Sequence, residues 1–268
     1  MNKTSIEWCD YTWNPVTGCF HPCRNTYCYN TQKKTSPLNR FGARFLNDHG
    51  QFSLQKNWKE RQTGECHIAK KGEIYPFGYD PTFYPHRLEE PCKVKTPSRI
   101  FVVDTGDLFG WWVPDQWIDS VMDIVYKCQY HTFMFLTKNP NRAKNYTFPD
   151  NAWVGTSVNS NQDEERAEII KTIDAPVRFL SIEPLLGNIT FSLKGIQWVI
   201  IGAMTGTKAI LPKPEWIKNI VKQASILKIP ILLKNNLRTV WPDIYQYYPE
   251  PTNLACRQTG RQTGRQTG

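Results

Sequence analysis

Residues 99–107 read Arg-Ile-Phe-Val-Val-Asp-Thr-Gly-Asp. The apolar run Ile100–Val103 has no polar alternation, as in a strand buried on both faces. The polar run Asp104-Thr105-Gly106-Asp107 follows at once. The same unit recurs down the chain. Thr132–Leu136 precedes Thr137-Lys138-Asn139, and Ala152–Gly155 precedes Thr156-Ser157. Val177–Ser181 precedes Ile182-Glu183-Pro184, and Trp198–Ile201 precedes Gly202-Ala203-Met204-Thr205. Ile229–Leu233 precedes Lys234-Asn235-Asn236. Amphipathic stretches at 114–127, 140–145, 162–173 and 214–227 lie between these runs and predict helices. Pro114 and Pro214 suit first-turn positions, and Asp115 and Glu215 then favour the positive helix end. Strands alternating with helices imply right-handed βαβ units and a parallel sheet. A further strand over Trp8–Val16 brings the count to about seven, which fits a complete or partial parallel β/α barrel better than an open sheet.

In a β/α barrel the C-terminal strand ends converge on one face, and that face carries the active site. The polar runs would meet there. So would the loop after the first strand, Gly18-Cys19-Phe20-His21-Pro22-Cys23-Arg24-Asn25-Thr26-Tyr27-Cys28-Tyr29. It spaces its cysteines C-x3-C-x4-C. Three thiolates this close can grip a soft metal centre. A cluster or an all-sulfur zinc site usually takes four, so one position is left for another ligand or a small molecule.

The 268 residues carry a net charge of +9, three units of it in Arg257, Arg261 and Arg265. That excess is compatible with nucleic-acid contact, but it is weak evidence for it, and a moderately basic surface with no binding function is the favoured reading. No signal peptide and no membrane-spanning run is read, so a soluble, cytoplasmic protein of a bacterial host is expected. Eight cysteines without a secretory signal point to metal or redox use rather than a disulfide framework. The expected organisation is one domain over 1–255 with an irregular insertion at about 46–98, where a small hairpin fits. Pro37–Phe45 predicts a short helix. The Arg-Gln-Thr-Gly repeats within 256–268 predict a disordered tail.

Several residues have two readings. Asp104 and Asp107 position substrate or bind a divalent metal, or cap the following helix. Lys138 and Lys234 meet an anionic substrate or carboxylate, or are solvated loop lysines. His21 replaces a missing ligand or is a loop residue. Cys66, His67 and His86 read as structural, and Cys9, Cys92 and Cys128 as buried or incidental thiols. Trp111-Trp112 either pack or form a stacking platform for a base, with packing favoured.

The runs IEWCDYTWNPVTGC (6–19) and HPCRNTYCYN (21–30) resemble a largely uncharacterised family of phage and mobile-element proteins known for a three-cysteine motif. The resemblance continues through SRIFVVDTGDLFG (98–110), FLTKNP (135–140), AWVGTSV (152–158), RFLSIEPLLG (178–187), WVIIGA (198–203) and ILLKNNL (231–237). That family is similar to radical S-adenosylmethionine enzymes, whose motif is C-x3-C-x2-C with an aromatic residue before the last cysteine. Tyr27 stands in that place, while the last spacing here is four residues. The resemblance implies a [4Fe–4S] cluster on Cys19, Cys23 and Cys28, with S-adenosylmethionine on the fourth iron, cleaved to a 5′-deoxyadenosyl radical. Ser157 and Glu183 are then expected at its ribose or amino group, and Gly202 beside its adenine. Asp104, Asp107, Lys138 and Lys234 are the expected catalytic residues. A three-Cys-motif partner protein is implied, and nucleic acid is the favoured substrate class. Two other readings stay open. One is a non-catalytic zinc-bearing nucleic-acid-binding or adaptor protein using the three cysteines and His21. The other is a metal-dependent hydrolase using Asp104, Asp107 and Glu183.

Overall fold

A computed structural model describes residues 1–25, 27–28, 44–46, 52–54, 63–206 and 209–250. Its centre is a mixed sheet of eight strands. Strands β1 (Asn2–Lys3) and β2 (Tyr11–Trp13) pair antiparallel. From β2 onward every pairing within this sheet is parallel. Small strands β3 (Val16–Thr17), β6 (His67–Ile68) and β7 (Thr82–Phe83) form a second sheet, and β4 (Arg44–Leu46) pairs with β5 (Phe52–Leu54). The main sheet continues through β8 (Arg99–Val102), β9 (Thr132–Thr137), β10 (Ala152–Ser157), β11 (Val177–Ile182), β12 (Trp198–Ile201) and β13 (Ile231–Leu233). Spatial order follows chain order from β8 to β13.

Helices α1 (Asp115–Lys127), α2 (Pro140–Ala143), α3 (Glu164–Lys171) and α4 (Pro214–Leu227) lie in four of the crossovers between β8 and β13, and among the described residues the β11–β12 connection carries none. Pro214 occupies a first-turn position as expected, whereas Pro114 stands one residue earlier, at the N-cap of α1.

The strands are apolar on both faces because each face has its own cover. One face joins Ile100, Phe133, Val154, Leu180, Val199 and Leu233 to Ile118, Val121, Ile170 and Ile217 of the helices. The other gathers Phe101, Met134, Trp153, Phe179, Trp198 and Leu232 under Trp8. Burial of this kind stabilises by roughly 25 cal/mol per Å² of apolar surface.

The expected first strand, Trp8–Val16, is broken. Only Tyr11–Trp13 joins the main sheet, and Trp8 and Cys9 turn onto its second face. The predicted helix over Pro37–Phe45 lies largely outside the described residues, and its last two residues begin β4. The tail at 256–268 also lies outside them. Cys92 and Cys128 are not incidental thiols. They form a disulfide with Cα atoms 5.9 Å apart, within the usual range. Spacing alone could not show it, because the two meet only when α1 folds back beside the 3-10 turn Pro91–Lys93. No helix among the described residues is long and apolar enough to cross a membrane.

Candidate functional site

The polar strand ends and the cysteine loop open onto one cavity of about 780 Å³. Cys19, Cys23, Cys28, Asp104, Asp107, Lys138, Ser157, Glu183 and Lys234 all line it. Its floor is Trp8, Phe101 and Leu136, and Asn2–Ile6 form part of its wall. A volume of this size suits a small-molecule site.

The loop enters through Gly18, at φ +97°. A Cβ there would come within 2.4 Å of the Asp80 carbonyl oxygen, so only glycine fits. Further on, the loop is fastened twice. His21 Nε2 lies 2.7 Å from Asp107 Oδ2. Tyr27 donates its hydroxyl to Asn159 Oδ1 at 2.8 Å. Asn159 in turn donates to the Pro184 carbonyl. One fastening holds the loop to the ends of β8 and β9, the other to the ends of β10 and β11. Asn159 had no signal in the sequence, because a lone asparagine after a strand looks like any turn residue.

Asp107 is 3% exposed and fully partnered. Thr137 Oγ1 and the Phe109 amide donate to Oδ1, at 2.7 and 3.1 Å. The Lys138 amide donates to Oδ2 at 2.9 Å, beside His21. Burial alone would raise this carboxyl, but His21 and the other donors hold it below the usual carboxylate range. Both oxygens of Asp107, one of the residues expected to be catalytic, are thus engaged by protein donors, His21 among them. It does not cap α1, whose N-cap makes no side-chain bond. Asp104 accepts one bond, from Asn14 Nδ2 at 2.5 Å, and burial raises its carboxyl. It follows Val103, a β-branched residue at φ +61°. That left-handed conformation costs free energy and turns the chain where Asp104 meets the cavity.

Lys138 Nζ lies 5.6 Å from the centre of the Tyr27 ring. Burial opposes its charge. Cys23, Tyr27, Cys19 and Asp107 outweigh burial and hold the ammonium above its ordinary value. Burial pushes the Cys19 thiol up to about 12, with Lys138 and the His21 amide opposing. As a neutral thiol it ligates only when a metal displaces its proton. Lys234 donates to Glu183 across the mouth. A Cβ on Gly202 would stand 3.0 Å from both side chains. The bare α-carbon of Gly202 therefore makes room for that ion pair.

The donor set suits a cluster. Three thiols come from one loop, the half-buried Lys138 ammonium lies near Cys19 and Cys23, and the cavity extends beyond. Among the described residues no three His, Cys, Asp or Glu side chains gather closely enough to hold a single metal ion. A cluster asks instead for each thiolate at a separate iron. Cys66 is exposed and bonds the Trp112 carbonyl. His67 stacks on Phe77 and meets Asp80, as structural readings predict. Cys256 lies outside the described residues.

No curated protein matches the chain. Among solved structures it is similar to one described as spore photoproduct lyase complexed with dinucleoside spore photoproduct. The TM-score is 0.40 and the identity 12%, over 91% of this chain and 64% of that one. The chain thus spans less than two thirds of that protein's length. Residues 3–244, from the first strand to just past β13, match a single family, and the chain belongs to it: the family described as a protein of unknown function (DUF5131).

Proposed function

We propose that the chain is a radical S-adenosylmethionine-type enzyme built on a partial parallel β/α barrel. One observation carries this reading. The three cysteines and the ends of six successive parallel strands, β8 to β13, face one cavity of about 780 Å³. Cys19, Cys23 and Cys28 would hold a [4Fe–4S] cluster, and Ser157 and Glu183 would meet S-adenosylmethionine. When bound, and with the cluster reduced by an external one-electron donor, that pair would supply a carbon-centred radical able to abstract hydrogen, with methionine as the leaving group.

The chain's own residues do the positioning. His21 and Tyr27 fix the loop from both sides. Lys138 places positive charge beside the thiolates. Glu183 and Lys234 present an anion and a cation at the mouth. Trp8, Phe101 and Leu136 keep water from the floor. Asp104 faces the cavity with an oxygen left for substrate. Nucleic acid is the substrate class favoured by the net charge of +9. A three-Cys-motif partner protein and a phage or mobile-element origin belong to the same reading. The hydrolase alternative loses ground because Asp107 is saturated by donors and Glu183 is paired with Lys234.

Anaerobic purification tests the proposal, with iron, sulfide and zinc content and absorption near 400 nm. The Cys19→Ala, Cys23→Ala, Cys28→Ala triple variant is the control. The expected result is about four irons and four sulfides per chain, lost in the variant. One zinc per chain without sulfide would overturn it in favour of the zinc-bearing binding module.

A further inference from the structure

The two adjacent tryptophans have opposite fates. Trp112 is 6% exposed and packs in the core, edge-on to His21 at 4.9 Å between ring centres. Trp111 is 74% exposed, the most open large apolar side chain among the described residues. Its position is not slack. Arg142 donates to the Gly110 and Val113 carbonyls, clasping the turn on both sides of the pair. The Val113 amide closes the turn on the Gly110 carbonyl at 3.0 Å. A Cβ on Gly110 would strike the Trp112 ring at 2.4 Å, so the turn has one packing. Phe20, between Cys19 and His21, lies 6.2 Å from Trp111. An open indole on a fixed backbone turn therefore stands next to the cysteine loop, on a chain of net charge +9.

We infer that Trp111 is a stacking platform for a base of single-stranded nucleic acid, flanking the nucleotide that enters the cavity. This deepens the proposed function by naming a subsite. It rests on that reading only for what happens in the cavity, because binding needs no turnover. Stacking suits every base, so the site discriminates strandedness more than sequence.

The test is fluorescence anisotropy with a 5′-fluorescein-labelled dT12 strand, using the full chain without added S-adenosylmethionine. Wild type, Trp111→Ala and Trp111→Phe are compared at two salt concentrations, with circular dichroism confirming the fold of each. Trp111→Ala is expected to weaken binding about 5- to 150-fold, the range for losing one base–aromatic stack. Trp111→Phe should stay within about threefold, and an unlabelled duplex should compete poorly. Equal affinity of wild type and Trp111→Ala overturns the inference, as does failure of wild type to bind. If Trp111→Ala instead abolishes a concentration-dependent sedimentation shift without nucleic acid, the platform belongs to a second copy of the chain and the inference falls. Iron content is unaffected by any of these outcomes, so the cluster and the platform stand or fall separately.

Discussion

His21 Nε2 and Asp107 Oδ2 stand 2.7 Å apart and join the cysteine loop to the strand ends beneath it. Asp107 also receives Thr137 Oγ1 and the amides of Phe109 and Lys138. Asp107→Ala would leave four donors unanswered in a buried site. The expected loss is about 3–5 kcal/mol, the range for breaking one side of a buried charged pair. Asp107→Asn keeps the shape and should cost about 1–3 kcal/mol. Urea unfolding of the two variants checks the order, and iron content after anaerobic reconstitution should fall in the same order.

Tyr27 sits on Asn159, which is 5% exposed. Tyr27→Phe strips the hydroxyl and keeps the ring. It should cost about 1 kcal/mol in global stability. Its larger effect should be local, with faster hydrogen exchange at the Tyr27 and Cys28 amides, which bond the Cys23 carbonyl. Unchanged exchange at those amides would show that the loop does not depend on this fastening.

The Cys92–Cys128 bond closes a 36-residue separation. Chain-entropy arguments give about 4 kcal/mol for a loop of that length. Reduction, or the Cys92→Ser, Cys128→Ser double variant, should lower the urea midpoint accordingly. Tyr130, bonded to the Val94 carbonyl, and His131, bonded to the Pro91 carbonyl, partly hold the same segment once the bond is gone.

Cys9 is 6% exposed under the sheet's second face. Burial, with Asp104 and Asp10 adding, raises its thiol well above the ordinary range. The folded state therefore keeps this proton after the unfolded chain has released it, near pH 8.5. Stability should be fully present below that pH and fall above it, by up to about 1.4 kcal/mol per pH unit for one thiol. Urea midpoints between pH 8 and 10 should slope less in Cys9→Ala than in wild type.

Strands with two buried faces were easy to read. Runs such as Phe179-Leu180 and Trp198–Ile201 leave no polar alternation to confuse with a helix, and their bounds agree within two residues. Helix bounds at 214–227 agree because Pro214 fixes the start and Lys228, in the left-handed region, ends it. The convergence of Cys19, Lys138, Glu183 and Lys234 was legible because strand direction alone puts them on one face. The fastenings were not. Nothing local distinguishes Asn159 or Asp107 from other turn residues, since their partners lie 132 and 86 positions away. Nor does sequence show that Gly202 lies against an ion pair formed by two other strand ends.

The Glu7 carboxylate takes bonds from the Asn235 amide and side chain and from Gln246, and the Glu7 carbonyl takes the Tyr248 hydroxyl. These side-chain bonds tie the chain just after the wall segment Asn2–Ile6 to the β13 margin of the sheet, where residues 245–247 also bond β13 through the backbone. These contacts are exposed, whereas the Val199 amide bonds the Pro230 carbonyl inside the sheet, so deuterium should enter at the Asn235 amide well before the Val199 amide.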